Sequence, residues 1–199
     1  VAELTDRRRR VAALVLVGVA GVLILGAWTG WRERRRSGGL ILAAQLLDHP
    51  VVFTVAVGVT LTAALFLAVR GAILRTLFLM AGVLGTLVVT LVAGLFGFSG
   101  GQETMRAGAP DRPDRHLVVE EGAAMVDPLW WVYVDEGSGL TARRWHVGFV
   151  DGDYYALRAA EWDGPDRVRL TVDTGERDEV HVVELSASDG RPHRMVDRG

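Results

Sequence analysis

The sequence predicts an α+β protein, a three-transmembrane-helix bundle followed by a small β-rich C-terminal domain. Three observations carry this. The first half holds three long apolar runs without a charge, the second half breaks into short alternating runs, and the charge reverses between them. Residues 1–98 carry ten Arg against four acidic residues, net +6, while the remainder carries twelve Arg against twenty, net −8. The formal total of −2 conceals a basic apolar half joined to an acidic polar one.

The first run, VAALVLVGVAGVLILGAWTGW, covers residues 11–31 with no charge in 21 positions. At about 1.5 Å rise per residue such a helix crosses a hydrocarbon core of roughly 30 Å. Trp28 and Trp31 fall at its far end, where amphipathic rings prefer the headgroup layer. A cleaved signal peptide is the alternative, because Arg7 to Arg10 resemble a charged leader. The run is too long for a usual leader core, and WRERRR stands where small residues should mark cleavage.

The second span is expected over 51–69, with Asp48 as its cap and Pro50 in its first turn, where a missing N–H costs little. The third is expected over 77–98, after the connector RGAILRT. Residues 40–47, LILAAQLL, are too short to cross and either lie along the interface or extend the second helix backward. Gly26 with Gly30, and Ala81 with Gly85, have the small-xxx-small spacing of close helix contacts. Thr54, Thr60, Thr62, Thr86 and Thr90 can bond back to helix carbonyls. The apolar runs contain no ionisable residue, which argues against an autonomous ion-coupled carrier.

Residues 99–115, SGGQETMRAGAPDRPDR, mix Gly, Pro and charge without an apolar period and are expected to be a linker. The β domain is expected over 116–186, with 187–199 as a frayed polar tail. Its most distinctive part is WWVYVDEGSGLTARRWHVGFV, two aromatic runs around a Gly-rich turn. A loop at 136–139 would set Trp130 opposite Trp145 and Trp131 opposite Arg144. Trp130, Val132, Val134, Val147 and Phe149 then form the buried face. Trp131, Tyr133, Arg144 and His146 take the other face and make a candidate partner surface, with a Trp131–Arg144 cation–π contact of about 0.5–1 kcal/mol. The competing reading packs this face on another strand, on the segment around Trp162, or on the headgroup layer. A second hairpin is expected from RVRLTVDT and EVHVVELS, turning at GERD, whereas 154–162 reads equally as strand or helix.

Catalytic and metal patterns are weak. Cysteine is absent, the histidines have no ligand spacing, no serine lies in a nucleophile elbow, and DGD at 151–153 reads as a turn rather than a calcium loop. No cofactor or metal is expected. The Arg clusters beside apolar runs read as topology signals and anionic-lipid contacts rather than as a nucleic-acid surface.

The expected partners are the lipid bilayer and a protein met by the C-terminal domain, with the oligomeric state left open. Basic residues that are all Arg suggest a GC-rich bacterial genome, hence the plasma membrane. Counting Arg near the spans ties at first. Discounting the linker favours a cytoplasmic N-terminus and an extracytoplasmic β domain. The expected role is a noncatalytic membrane protein presenting that domain for protein or envelope contacts. The alternatives are an accessory subunit of a transport or secretion complex, and a membrane-tethered enzyme with a nonlocal site.

Overall fold

A computed structural model of the chain describes residues 2–97, 101–124 and 127–199, with side chains over 6–92, 101–123 and 127–199. The α+β expectation holds: four helices precede two β-sheets. The chain divides into two compact units, 1–31 with 45–98 and 32–44 with 99–199.

In the helical unit, α1 (Ala2–Arg35), α3 (Pro50–Ala68) and α4 (Ala72–Gly97) contain three segments long and apolar enough to cross a membrane. The short α2 (Ile41–Leu47) is a separate helix, neither an extension of α3 nor a span. Pro50 opens α3 as expected, but the cap position belongs to His49, without a side-chain cap bond, and not to Asp48. The third helix begins five residues earlier than the hydropathy boundary at 77. Only Val69, Arg70 and Gly71 connect it to α3. Arg75 therefore lies inside α4, with its guanidinium 4.3 Å from the Phe66 ring centroid, so the third helix is not free of charge. Its expected end at Phe98 and the expected linker start at Ser99 lie outside the described residues.

Helices α3 and α4 pack closely because two glycines leave room for threonines of the facing helix. A Cβ on Gly58 would collide with the Thr86 side chain, and one on Gly82 with Thr62. Small residues allow such approach where no hydrophobic drive separates protein from lipid. The expected Ala81–Gly85 pair is displaced by one position, since nothing comes within 4 Å of a Cβ on Gly85. The Gly26–Gly30 face of α1 does make contact, at Phe53 and Leu47 respectively. Thr60 and Thr86 bond back to the carbonyls of Ala56 and Gly82 at 2.6 and 2.7 Å, whereas the buried Thr90 hydroxyl has no partner among the described residues. Overpacking typically costs about 1–3 kcal/mol. Gly82→Leu is expected to lower the thermal midpoint of the detergent-solubilised protein, whereas Gly85→Leu is expected to leave it nearly unchanged.

The β unit overturns the linker expectation. Residues 102–109 form strand β2 (Gln102–Ala109), paired with β3 (Arg112–Ala124) in an antiparallel hairpin. Gly and Pro there mark a tight turn and a bulged strand rather than a spacer. After β4 (Asp127–Glu136) and β5 (Arg143–Asp151), the chain forms a second sheet from β6 (Ala156–Trp162), β7 (Arg167–Asp173) and β8 (Asp178–Glu184). The ambiguous 154–162 stretch is thus a strand. The RVRLTVDT and EVHVVELS runs pair as expected, with Val168, Leu170 and Val172 buried. The DGD stretch is the expected turn: the Asp153 N–H donates to the Asp151 side chain at 3.1 Å.

The polar tail is not frayed. Val196 is buried in the core, and β9 (Val196–Arg198) pairs in parallel with β5. The same edge of β5 also receives β1 (Gly39–Leu40), from the loop between the first two spans. Two short strands from distant parts of the chain therefore cover one edge, which would otherwise present open backbone groups. Between the sheets the core gathers Leu117, Val119, Val132, Val134, Val147, Val168, Leu170 and Val183, with Trp130 and Trp162 packed against it.

At one end of this core lies Arg115, a wholly buried cation on β3. Its guanidinium pairs with Glu136 on β4 and Asp166 before β7, and donates to the carbonyls of Pro165 and Ser186 at 3.2 and 3.4 Å. One side chain thus joins both sheets.

Candidate functional site

The aromatic hairpin has a different register from the expected one. A 3-10 turn at Gly139–Thr141 lengthens the loop, and Gly137 and Gly139 adopt φ of +83° and +61°, which glycine tolerates without strain. Asp135 pairs with Arg144, and Val134 with Trp145, four residues further along β5 than a loop at 136–139 would set them. A bulge then shifts the register once more, so Trp130 faces Val150 and Trp131 faces Phe149. An even slip preserves the faces and the bulge exchanges them. Val147 therefore stays in the core, while Phe149 leaves the expected buried face and meets Trp131, ring centroids 5.8 Å apart.

The four candidate residues do share the face of the first sheet opposite the core. Tyr133 and His146 pair across the strands, their rings edge-on at 4.8 Å. The expected Trp131–Arg144 contact is replaced by one in which the Arg144 guanidinium lies 4.9 Å from the Tyr133 ring centroid. Sequence reasoning missed the acids. Arg144 is gripped by Asp135, at 2.7 and 3.0 Å, and by Glu120. Asp135 also receives Arg106 at 3.2 Å, and Arg106 pairs with Glu103 at 2.8 Å. Arg34, from the end of α1, stands 3.9 Å from Glu120, and Ser37 accepts the His146 backbone N–H at 3.3 Å. No local spacing signals this set, because its members come from four strands, the end of α1 and the loop that follows it.

Burial decides what the face can do. Tyr133, Glu120 and Asp135 are each under a tenth exposed, so they support the surface rather than offer it. Burial pushes the Tyr133 hydroxyl well above its ordinary range, with the Glu120 charge adding to the shift. Burial opposes the charge on Arg144, but Asp135 and Glu120 more than offset this and raise it. The Arg106 hydrogen bond holds Glu103 below the usual carboxylate range. Trp131 and Phe149 are partly exposed, whereas the Nε2 of the partly buried His146 is closed off from solvent with no hydrogen-bond partner among the described residues. A face of paired charges rimmed by half-open aromatics can bind by stacking and hydrogen bonding. Among the described residues no group of His and acidic side chains could hold a metal ion.

Burial also holds His146 below its ordinary value, and the Arg144 charge adds to this. The sign of the pH effect follows. Above about pH 6.5 the imidazole is neutral in the folded and unfolded chain alike. As pH falls through that value the unfolded chain binds a proton that the folded one resists, so stability declines until the folded His146 titrates too. The thermal midpoint is expected to drop between pH 7.5 and 5, and His146→Gln is expected to flatten that drop. Parallel slopes for the two proteins would refute this.

No protein-family model, curated protein or solved structure matches the chain.

Proposed function

We propose that this is a noncatalytic, bilayer-anchored protein that presents its β domain to a protein partner or to the cell envelope, on the outer face of a bacterial plasma membrane, with the N-terminus in the cytoplasm. The observation that supports a display role is the assembly of the domain from two chain segments. Residues 38–41 bond to β5 through Gly38 N–H to Arg144 C=O at 2.8 Å and Ile41 N–H to Ala142 C=O at 3.0 Å. Residues 40 and 101 must then lie on one side of the bilayer, which two intervening spans satisfy. At the other end of the spans, Asp6 pairs with Arg70, and Arg9 donates to the Val69 carbonyl at 3.4 Å. An odd span count with alternating ends accounts for both sets of contacts.

The contact surface is the partly exposed rim of Trp131 and Phe149, with Tyr133, Arg144 and His146 as its support. Trp131→Ala and Phe149→Ala are expected to weaken crosslinking to a partner while the domain stays folded. Arg144→Ala is a poorer probe, because it also breaks the ion network.

Orientation is tested by single cysteines, against no native thiol. Ser37→Cys and Ser188→Cys, both at exposed positions, are expected to react with an impermeant maleimide in intact cells, and Thr5→Cys to stay silent. The reverse pattern would move the domain into the cytoplasm, and labelling of only one of the two domain positions would overturn the three-span topology.

A further inference from the structure

The three long helices do not close on one another. Between α1 and the α3–α4 pair lies a groove of about 630 Å³, open at the side and walled by apolar side chains. Phe53, Val57, Leu61 and Leu65 form one wall at four-residue spacing along α3. Ala81, Gly85 and Val89 form a second wall on α4, and Ile24 with Ala27 stands opposite on α1. Trp31 and Asp48 lie at one end. The floor at Gly85 is open, since a Cβ there would meet nothing within 4 Å.

Dimensions select the occupant. From Pro50 to Leu65 the groove follows α3 for about 22 Å at 1.5 Å rise per residue. The volume of about 630 Å³ spread over that length gives a mean section near 30 Å². A helix with its side chains is about 10–12 Å across, a section of roughly 80–110 Å², so the groove does not enclose a helix of a second copy. Carbon atoms in contact at about 4 Å give one extended hydrocarbon chain a section of roughly 20 Å². The groove accommodates one such chain.

The walls belong to segments apolar and long enough to lie in a bilayer, so the surrounding medium supplies that chain. Apolar walls without a partner lose their dispersion contacts, and an ordered chain restores them. We infer that this groove is a binding site for one acyl chain of a bilayer phospholipid, held between α1 and the α3–α4 pair. The lipid completes the packing along the part of α1 that stands apart from the α3–α4 pair.

The test uses the full-length protein, purified in a mild detergent, stripped of lipid and titrated with palmitoyl-oleoyl-phosphatidylglycerol. Native mass spectrometry counts the lipids bound. One saturable adduct per chain is expected. Gly85→Leu, whose side chain enters the open floor, is expected to weaken that adduct at least about tenfold, since a leucine displaces several buried methylenes. Val88→Leu, on the lipid-exposed side of α4 and outside the groove, is expected to bind as the parent does. Ala27→Leu fills the groove from the α1 wall and serves in place of Gly85→Leu should that variant not fold. Equal lipid binding by the parent and a folded groove-filling variant would overturn the inference. So would a chain dimer that Gly85→Leu abolishes, because the groove would then receive protein.

Discussion

Arg115→Ala is expected to cost about 3–5 kcal/mol of folding stability, the range found when one partner of a buried ion pair is removed. The reason lies in what the guanidinium leaves behind. Glu136 is only 14% exposed, and with Arg115 gone its carboxylate would keep its desolvation without its counter-ion. The carbonyls of Pro165 and Ser186 would lose donors as well. Arg115→Lys is expected to recover only part of the loss, because one ammonium cannot reach acceptors on three segments as the planar fork does. Thermal unfolding of the detergent-solubilised protein, followed through the tryptophan signal, measures this. A shift no larger than that of the exposed Arg177→Ala, whose side chain is 77% exposed, would show that Arg115 does not hold the sheets together.

Arg144→Ala is expected to act almost as strongly, at about 3–5 kcal/mol, on the opposite face of the same sheet. It would leave Asp135 and Glu120, 5% and 9% exposed, without their principal cation, although Arg106 remains beside Asp135. That difference makes a double variant informative. Asp135→Asn in the Arg144→Ala background removes the stranded charge, so the pair should be more stable than the single Arg144→Ala variant. Non-additivity of about 0.5–3 kcal/mol is usual for side chains in one network. Strictly additive losses would mean that the two groups do not interact in the folded protein. The same experiment separates support from contact, because a partner that reads only the aromatic rim should bind the double variant as it binds the parent.

The helical half was legible because its signal is one-dimensional. A run of apolar residues long enough to span lipid needs no knowledge of its neighbours, so three helices apolar enough to cross a membrane emerged from hydropathy alone. Their edges did not. Arg75 enters α4 because a helix can begin with a cation that finds an aromatic face, Phe66, on the preceding helix. The β half was legible only in its parts. Alternation identified the strand content of the second hairpin and the inward Val132 and Val134. Alternation carries no information about partners, and a single bulge is enough to move Phe149 from one face to the other.

The candidate surface shows the same division. The side chains of Trp131, Tyr133, Arg144 and His146 were assigned to one face correctly, because an even slip in register leaves period two intact. Their function was open, because the acids that engage Arg144 are supplied by β3 and β4, and the residues expected to be a spacer supply a strand with a further Arg–Glu pair. Composition marked 99–115 as a loop, yet backbone hydrogen bonds to β3 override a weak strand propensity. By itself the sequence determined which half carries helices apolar and long enough to cross a membrane, that three such segments occur, and the strand-forming character of the remainder, since each depends on the transfer or periodicity of contiguous residues. Only the tertiary structure decided that the first loop and the last residues share one edge of β5, that Arg115 joins the two sheets, and that α1 leaves a groove beside α3 and α4. Those are pairings between distant segments, and their energies exist only once the chain has brought the partners together.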